Sequence, residues 1–331
     1  VNTINETKTV TSGNTASYKF DSQGTLIATI TDGTNTVSSS YTINKIGGVA
    51  TQLLNKGIVS SGNGLYVDQY ESTNNDRFVY KGRGDDLTNY VKLQNFAHNT
   101  ENFTDWFRIV AIESDGTIKL VRNNSYYNNV PWSTSTSDLW PDSSLHSLLN
   151  TDYKTVLDST SVCPASQCTT YFNSHRNWYY GTVYYDADKT QSVTKTIQAE
   201  KALSIDNSDS MFGLLSISDY IRASSSPTCT SIDDTRNGRC YNNWLWRAYA
   251  VGGEWTLPTM SEHGSNSSYV VIYNTMWYSG TSAEESGAGS MSAEAKTTAN
   301  KSVRPAGYYV AHATILSGSG TGADPFIFSG A

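Results

Sequence analysis

Apolar and polar residues alternate along much of the first 45 residues, with a period of two that predicts β-strands. The alternating runs are Thr15–Phe20, Leu26–Ile30 and Tyr41–Ile43, and Asp32-Gly33 between the last two is a strong signal for a tight hairpin turn. Three or four strands make only about half of a β-sandwich. Residues 1–45 are therefore predicted to be a small all-β segment, either part of a larger module or a small sheet that docks on the next domain.

The alternation stops at Gly47-Gly48. We expect residues 46–60 to be a linker between two domains, in which Thr51–Leu54 can form one helical turn.

Residues 61–331 contain both the two-residue period of strands and the 3.6-residue period of helices. The clearest hairpin consists of Trp106–Ile112 and Thr117–Val121, which flank Ser114-Asp115-Gly116. The best helix spans Ser143–Leu157, with leucines on one face, and a second is expected near Ser216–Ile221. One hairpin, a few short helices and many short strands predict an α+β domain.

The composition agrees with this prediction. The chain of 331 residues is 37% hydrophobic and 16% charged, with 22 Tyr and 8 Trp but only 4 Met. Straight-chain helix formers are therefore scarce, and the length favours two domains. The net charge of −7, without a long basic run, argues against nucleic acid or anionic lipid as a partner.

The four cysteines fall into two local pairs, Cys163 with Cys168 and Cys229 with Cys240. The chain contains no Cys-x-x-Cys, and no histidine lies near enough to suggest a zinc site. We expect two disulfides, each closing a short loop. Four free thiols or cross-pairing remain alternatives, because four cysteines allow three connectivities.

The sequence contains no familiar catalytic motif, neither His-Glu-x-x-His nor Gly-x-Ser-x-Gly, nor a phosphate loop or dinucleotide fingerprint. The five histidines have no metal-like spacing. We therefore predict no catalytic residues, no metal and no cofactor. Calcium is an alternative at Asp186–Asp188, Asp206–Asp209 or Asp233-Asp234, but none of these stretches matches an EF-hand loop or a lectin calcium motif.

A series of short motifs follows a fixed order along the second domain: Gly64-Leu65-Tyr66, Tyr80-Lys81-Gly82, Trp106–Val110, Asp115–Val121, Ser218-Asp219-Tyr220, Asn242–Leu245, Trp255–Pro258, Ser302–Ala306 and Asp324–Ile327. This order resembles an uncharacterised domain common in surface proteins of gut Firmicutes and related bacteria. The resemblance covers about residues 64–328. The tryptophans at 106, 244, 246 and 255 lie in or beside these motifs, and we assign them to the core.

That family in turn is similar to the C-type-lectin-like fold of formylglycine-generating enzymes and of the variable proteins of diversity-generating retroelements. The resemblance implies a C-type-lectin-like domain over residues 61–331. The formylglycine-generating enzymes use reactive cysteines near the C-terminus, and this chain has none after Cys240, which argues against their activity. Tyr18–Ile43 resembles about half of a bacterial immunoglobulin-like repeat, which implies a stalk module.

In such variable proteins the region just before the Arg-Pro strand displays hypervariable residues on a rigid scaffold. The matching window here is about Thr259–Lys301, where Ser, Gly and Ala are interleaved with aromatic residues. Tyr and Trp beside small polar residues is also the composition of antibody-like binding surfaces. The predicted ligand-binding residues are Ser261, Glu262, His263, Ser265, Asn266, Ser268, Tyr269, Tyr273, Asn274, Met276, Trp277 and Tyr278.

These observations predict an extracellular adhesin or receptor-binding module on a bacterial cell surface, with a protein or glycan ligand on another cell or host surface. No signal peptide, membrane-spanning stretch or sorting tail occurs in the sequence. We therefore expect an ectodomain without membrane insertion, whose targeting and anchor segments lie outside the chain. The alternatives are a pilus or surface-layer subunit and a divergent enzyme of the formylglycine-generating type.

Overall fold

The structure, a computed structural model, describes residues 24–31, 34, 36–43, 48–84, 86–94, 96, 106–134, 139–159, 161–163, 168–185, 192–207, 210–236, 239–247, 254–262, 269–274, 290–295 and 300–330. In parts of these ranges only the backbone is described. The chain divides into two units at residue 46.

The described part of the first unit is a β-hairpin. Strands β1 (Gly24–Thr31) and β2 (Thr36–Ile43) pair antiparallel in an unbroken register from Gly24 opposite Ile43 to Thr31 opposite Thr36. These two predicted strands are confirmed. The predicted strand Thr15–Phe20 lies outside the described residues.

The second unit begins with a helix in the interval for which we expected a linker. Helix α1 (Gly48–Asn55) buries Val49, Ala50 and Leu53. The amide of Gln52 exchanges two hydrogen bonds with the backbone of Ile315, at 2.6 and 3.3 Å. Residues 48–55 therefore belong to the larger unit, because Leu53 lies four positions after Val49 and three after Ala50, and these residues form one buried face.

The larger unit is rich in strands. Its first strands are β3 (Gly64–Val67), β4 (Phe78–Lys81), β5 (Tyr90–Leu93), β6 (Phe107–Ile112), β7 (Ile118–Arg122) and β8 (Tyr127–Val130). The middle of the chain contributes β9 (Trp178–Tyr180), β10 (Thr182–Tyr185), β11 (Ser204–Asp206) and β12 (Phe212–Gly213). The last strands are β13 (Trp255–Glu262), β14 (Tyr269–Asn274), β15 (Ser290–Ala295), β16 (Lys301–Val303), β17 (Ala306–Tyr309), β18 (Ile315–Ser317) and β19 (Phe326–Phe328).

The helices are short. They are α2 (Ser144–Ser147), α3 (Lys154–Leu157), α4 (Val193–Lys201), α5 (Ile217–Arg222) and α6 (Ile232–Arg236), with 3-10 turns at Trp140–Asp142, Cys168–Tyr171 and Trp244–Arg247. A π-helical turn, Leu148–Tyr153, joins α2 to α3, so Ser144–Leu157 is one continuous helical stretch. The two predicted helices are confirmed, and the side chain of Ser143 caps the first by accepting from the backbone N–H of His146.

Nine of the described strands form the main sheet. Its path is β12-β17-β7-β6-β5-β19-β18, and β3 and β4 join through β4, which pairs with β6. The predicted hairpin around Asp115-Gly116 is confirmed as β6–β7. Every residue of these two strands is buried, because structure covers both faces of the sheet.

One face of the main sheet is covered by an aromatic cluster. Phe172 lies 5.8 Å from Phe107, 5.0 Å from Phe212 and 5.5 Å from Tyr309, measured between ring centres. Gly307 admits these rings, since a Cβ there would lie 2.8 Å from Phe172. The predicted core tryptophans Trp106, Trp244 and Trp255 are confirmed as buried, and the side chain of Trp246 lies outside the described residues.

A second, four-stranded sheet has the order β10-β13-β14-β15. Strand β13 pairs parallel with β10 and antiparallel with β14, and β14 pairs with β15 from Tyr269 opposite Ala295 to Asn274 opposite Ser290. The larger unit is thus mixed α+β, with a large sheet and few helices, as predicted.

Candidate functional site

A cavity of about 330 Å³ opens beside the end of the β6–β7 hairpin, the segment 175–179 and helices α4 and α5. Strands β13 and β17 contribute Leu257 and Tyr308 to its wall. Charged side chains dominate the lining, so the cavity differs from the aromatic core beside it.

Two buried arginines form one wall of the cavity. Arg77 donates to both carboxylate oxygens of Glu113, at 2.9 and 3.1 Å, and Arg77 and Arg222 both bind Asp68, which is completely buried. Arg222 also binds Glu71. Buried charges are tolerated only when they are paired, so this cluster holds its side chains in fixed positions.

Helix α5 presents its first turn to the same cavity. Ser216 and Asp219 form a reciprocal capping box, and the Lys119 Nζ lies 2.6 Å from the Asp219 Oδ2. Burial alone would raise the pKa of Asp219, but the charges of Lys119 and Arg222 outweigh it and hold that pKa below its usual range. Asp219 is therefore an anion that fixes both the helix start and Lys119.

Glu200, near the end of α4, is a buried carboxyl group in the wall. Its two oxygens accept from the backbone N–H of Ser218 at 3.1 Å and from the Ser218 hydroxyl at 2.5 Å. Burial raises the pKa of Glu200 to about 7, although these hydrogen bonds act in the opposite direction. Glu200 therefore exchanges its proton close to neutral pH.

Hydrogen-bond donors surround the ring of Tyr308, which also lines the cavity. The Arg176 guanidinium carbon lies 4.6 Å from the ring centre, and the Lys119 Nζ lies 5.7 Å from it. Arg176 also binds Asp115 in the β6–β7 turn. Within the described part of the chain, the Tyr308 hydroxyl, the Asn177 amide and the His175 ring make no hydrogen bond.

A third feature, away from the cavity lining, is a buried ion pair beneath the Arg304-Pro305 motif. Arg304 donates from Nε and Nη2 to the two oxygens of Glu254, both at 2.6 Å, and the Tyr220 hydroxyl binds the same carboxylate. Beside it, Glu254 forms a β-bridge with Ser302. The ion pair between Glu254 and Arg304, called the clamp below, thus joins the two segments that flank residues 259–301.

The structure describes only the backbone of part of the predicted binding window. Ser261 and Glu262 end β13, and Tyr269, Tyr273 and Asn274 lie in β14, but their side chains are outside the described residues. The remaining predicted residues, which lie entirely outside the described residues, are His263, Ser265, Asn266, Ser268, Met276, Trp277 and Tyr278.

His146, Ser210 and Asp206 form the arrangement closest to a nucleophilic triad. The His146 Nε2 lies 2.8 Å from the Ser210 hydroxyl and 3.3 Å from the Asp206 carboxylate, and Ser210 donates to Asp206. In a working triad the carboxylate binds the other ring nitrogen and so orients the base. Here serine and carboxylate meet the same nitrogen, and Ser210 and Asp206 are buried, so this cluster links α2 to β11.

Across the residues that the structure describes, no group of three or more His, Cys, Asp or Glu side chains is placed to hold a metal ion. One calcium alternative has a structural role: the Asp234 Oδ2 accepts from the backbone and hydroxyl of Thr230 and from the hydroxyl of Ser231. Asp186–Asp188 lies outside the described residues.

The disulfide between Cys229 and Cys240 is confirmed. It closes a loop of the chain that contains α6. Cys163 is also disulfide-bonded, and the side chain of its predicted partner, Cys168, lies outside the described residues. No described helix is both long and apolar enough to cross a membrane.

The sequence interpretation missed the cavity altogether, because its residues are spread from Glu71 to Tyr308. One local signal was present. Lys119 stands between Ile118 and Leu120 in a run read as a core strand, and a charged residue at such a position needs a buried partner. Comparison of the chain with protein-family models, curated proteins and solved structures finds no match.

Proposed function

We propose that the protein is an extracellular ligand-binding module, an adhesin or receptor-binding protein of a bacterial surface. In this proposal the larger unit has a C-type-lectin-like fold, and residues 259–301 form its main contact surface. The ligand is a protein or glycan on another cell.

The observation that carries this proposal is the clamp between Glu254 and Arg304. The clamp fixes both ends of the window in the core, independently of the residues between them. Trp255 adds a further anchor, because its ring is buried and its indole N–H donates to the Val130 carbonyl at 2.8 Å. A segment anchored in this way can change its surface residues without disturbing the fold, as a recognition surface requires.

The strands of the window support the same proposal. Strand β13 runs from buried Trp255, past Leu257 in the cavity wall, into the sheet that contains β14 and β15. The described strands of the window are thus paired to one another and, through β10, to the rest of the unit, and rigid display lowers the entropic cost of binding. The disulfide Cys229–Cys240 fits an oxidising, extracellular environment.

The proposal is tested by replacing Met276-Trp277-Tyr278 with three serines and measuring binding of the labelled protein to an array of immobilised glycans and extracellular proteins. We expect loss of binding with an unchanged melting temperature. Tyr241→Ser, which removes an exposed aromatic ring outside the window, is the matched control. Equal binding by wild type and the triple variant would refute the assignment of the window as the contact surface.

A second candidate, a structural pilus or surface-layer subunit, is favoured by one observation. Strand β15 is the last strand of its sheet, with no further strand paired to it among the described residues. Open sheet edges can pair with another copy of the chain. Concentration-dependent self-association in sedimentation experiments, abolished by Ser292→Pro in β15, would favour this function over ligand binding.

A further inference from the structure

Most of the hydrogen-bonding groups in the cavity that lack a partner among the described residues are donors. Lys119 has three N–H donors and uses one on Asp219, and Arg176 has five and uses one on Asp115. The hydroxyl of Tyr308 and the amide of Asn177 add donors without partners in the described residues. These four side chains line one cavity.

The carboxylates of the cavity are engaged. The two oxygens of Glu113 accept from Arg77, those of Glu71 bind Lys201 and Arg222, and those of Glu200 accept from Ser218. A guest whose polar atoms are donors would find only the second lone pair of each of these oxygens. A guest with acceptor oxygens would instead bind the donors of Lys119, Arg176 and Tyr308 that have no partner in the described part of the chain.

The size and charge of the cavity limit the guest further. About 330 Å³ is near the lower end of the range for small-molecule sites. The Arg176 guanidinium matches the planar shape of a carboxylate, while the nearby Glu113 carboxylate repels a dianion more strongly than a monoanion.

We propose that this cavity binds the carboxylate of a small polar ligand, with Arg176, Lys119 and the Tyr308 hydroxyl as its donors. The inference rests on the proposed ligand-binding function and adds a second site to it, apart from the 259–301 surface. Two sources offer this chemistry: an acidic sugar and the C-terminal carboxylate of a peptide.

The experiment is a titration of the ¹⁵N-labelled full chain, followed by NMR, with four probes: glucuronate, its uncharged methyl ester, N-acetylalanine and inorganic phosphate. We expect at least one of the two carboxylates to bind at least tenfold more tightly than the methyl ester. The resonances of Asn177, Trp178 and Tyr179 should shift. A preference for glucuronate assigns an acidic sugar, and a preference for N-acetylalanine assigns a peptide terminus.

Two variants test the donors separately. Tyr308→Phe removes only the hydroxyl and keeps the ring that lies beside Arg176 and Lys119. Arg176→Gln removes the guanidinium. Each variant should weaken carboxylate binding at least fivefold. Arg239→Gln, which removes a positive charge from an exposed side chain, should leave binding unchanged. The spectra of the free variants show whether the fold is intact.

The proposal is overturned if neither carboxylate binds, if the methyl ester binds equally well, if phosphate binds more tightly than both, or if both donor variants bind like wild type. None of these results would affect the 259–301 surface, whose test uses a different variant. Conversely, if the triple serine variant at residues 276–278 bound its ligands as well as wild type, the proposal of carboxylate binding in the cavity would still stand.

Discussion

Arg304 and Glu254, which are 50 positions apart in the chain, form a bidentate ion pair with both hydrogen bonds at 2.6 Å. Both side chains are almost completely buried. The Tyr220 hydroxyl shares the Glu254 carboxylate, and the Leu245 carbonyl accepts from Arg304 at 3.2 Å. The pair therefore joins α5, the turn at Trp244–Arg247 and the two segments that flank residues 259–301.

Removing one partner of this pair should destabilise the larger unit strongly. Arg304→Met leaves the Glu254 carboxylate buried without its cation, and we expect the free energy of unfolding to fall by about 3–5 kcal/mol. Urea denaturation followed by tryptophan fluorescence measures this change. Arg239→Met, at an exposed ion pair, is the control and should cost less than about 1 kcal/mol. A loss as small as that of the control would show that the clamp does not hold the window.

The stability of the protein should fall as the pH rises towards 8, because of Glu200. The folded-state pKa of about 7 lies above the ordinary 4.5, so the folded protein binds this proton more tightly than the unfolded chain. This contribution is complete below pH 4.5 and is lost as the pH rises through 7, by about 3 kcal/mol in total. Glu200→Gln should remove this part of the pH dependence in urea denaturation series.

Asp86→Asn is the control for Glu200→Gln, since it removes a carboxylate from an exposed side chain. It should leave the slope of stability against pH close to that of wild type. If Glu200→Gln also leaves the slope unchanged, the carboxyl group of Glu200 does not titrate near neutral pH.

The disulfide Cys229–Cys240 should stabilise the larger unit by about 2–3 kcal/mol, the amount expected for a loop with a sequence separation of 11. The double replacement by serine should lower the urea midpoint accordingly. Reduction of the wild-type protein should reproduce the shift, whereas the double variant should respond less to the reductant. If the reductant lowered the urea midpoint equally in both proteins, the stabilisation would not come from the Cys229–Cys240 disulfide.

Gly213→Ala should disturb the cavity through Trp178. A Cβ at position 213 would lie 2.4 Å from the Trp178 ring, and Trp178 lines the cavity and packs against Tyr308 at 5.2 Å between ring centres. We expect a destabilisation of about 1–3 kcal/mol from overpacking, together with weaker carboxylate binding. Gly322→Ala, whose Cβ would have ordinary contacts from 3.6 Å, is the matched control for thermal melting.

Local patterns predicted the local elements. The β6–β7 hairpin followed from two apolar runs around Asp115-Gly116, and the helix over Ser144–Leu157 followed from the spacing of its leucines and from Ser143 at its start. The linker prediction for residues 46–60 placed residues 48–55 outside the domain. The short sequence Val49–Leu53 shows no long period, and only the strands that pack against it decide that it is part of the domain.

The sequence by itself predicted the α+β class, the local pairing of Cys229 with Cys240 as the leading interpretation of its four cysteines, and the hairpins β1–β2 and β6–β7, because turn chemistry and side-chain periodicity act between residues close in the chain. Only the tertiary structure decided that Arg304 meets Glu254, and that Lys119, Arg176 and Tyr308 surround one cavity. Such contacts join residues 50 to almost 200 positions apart, and their positions depend on sheet register and on the pairing of buried charges, which no local pattern encodes.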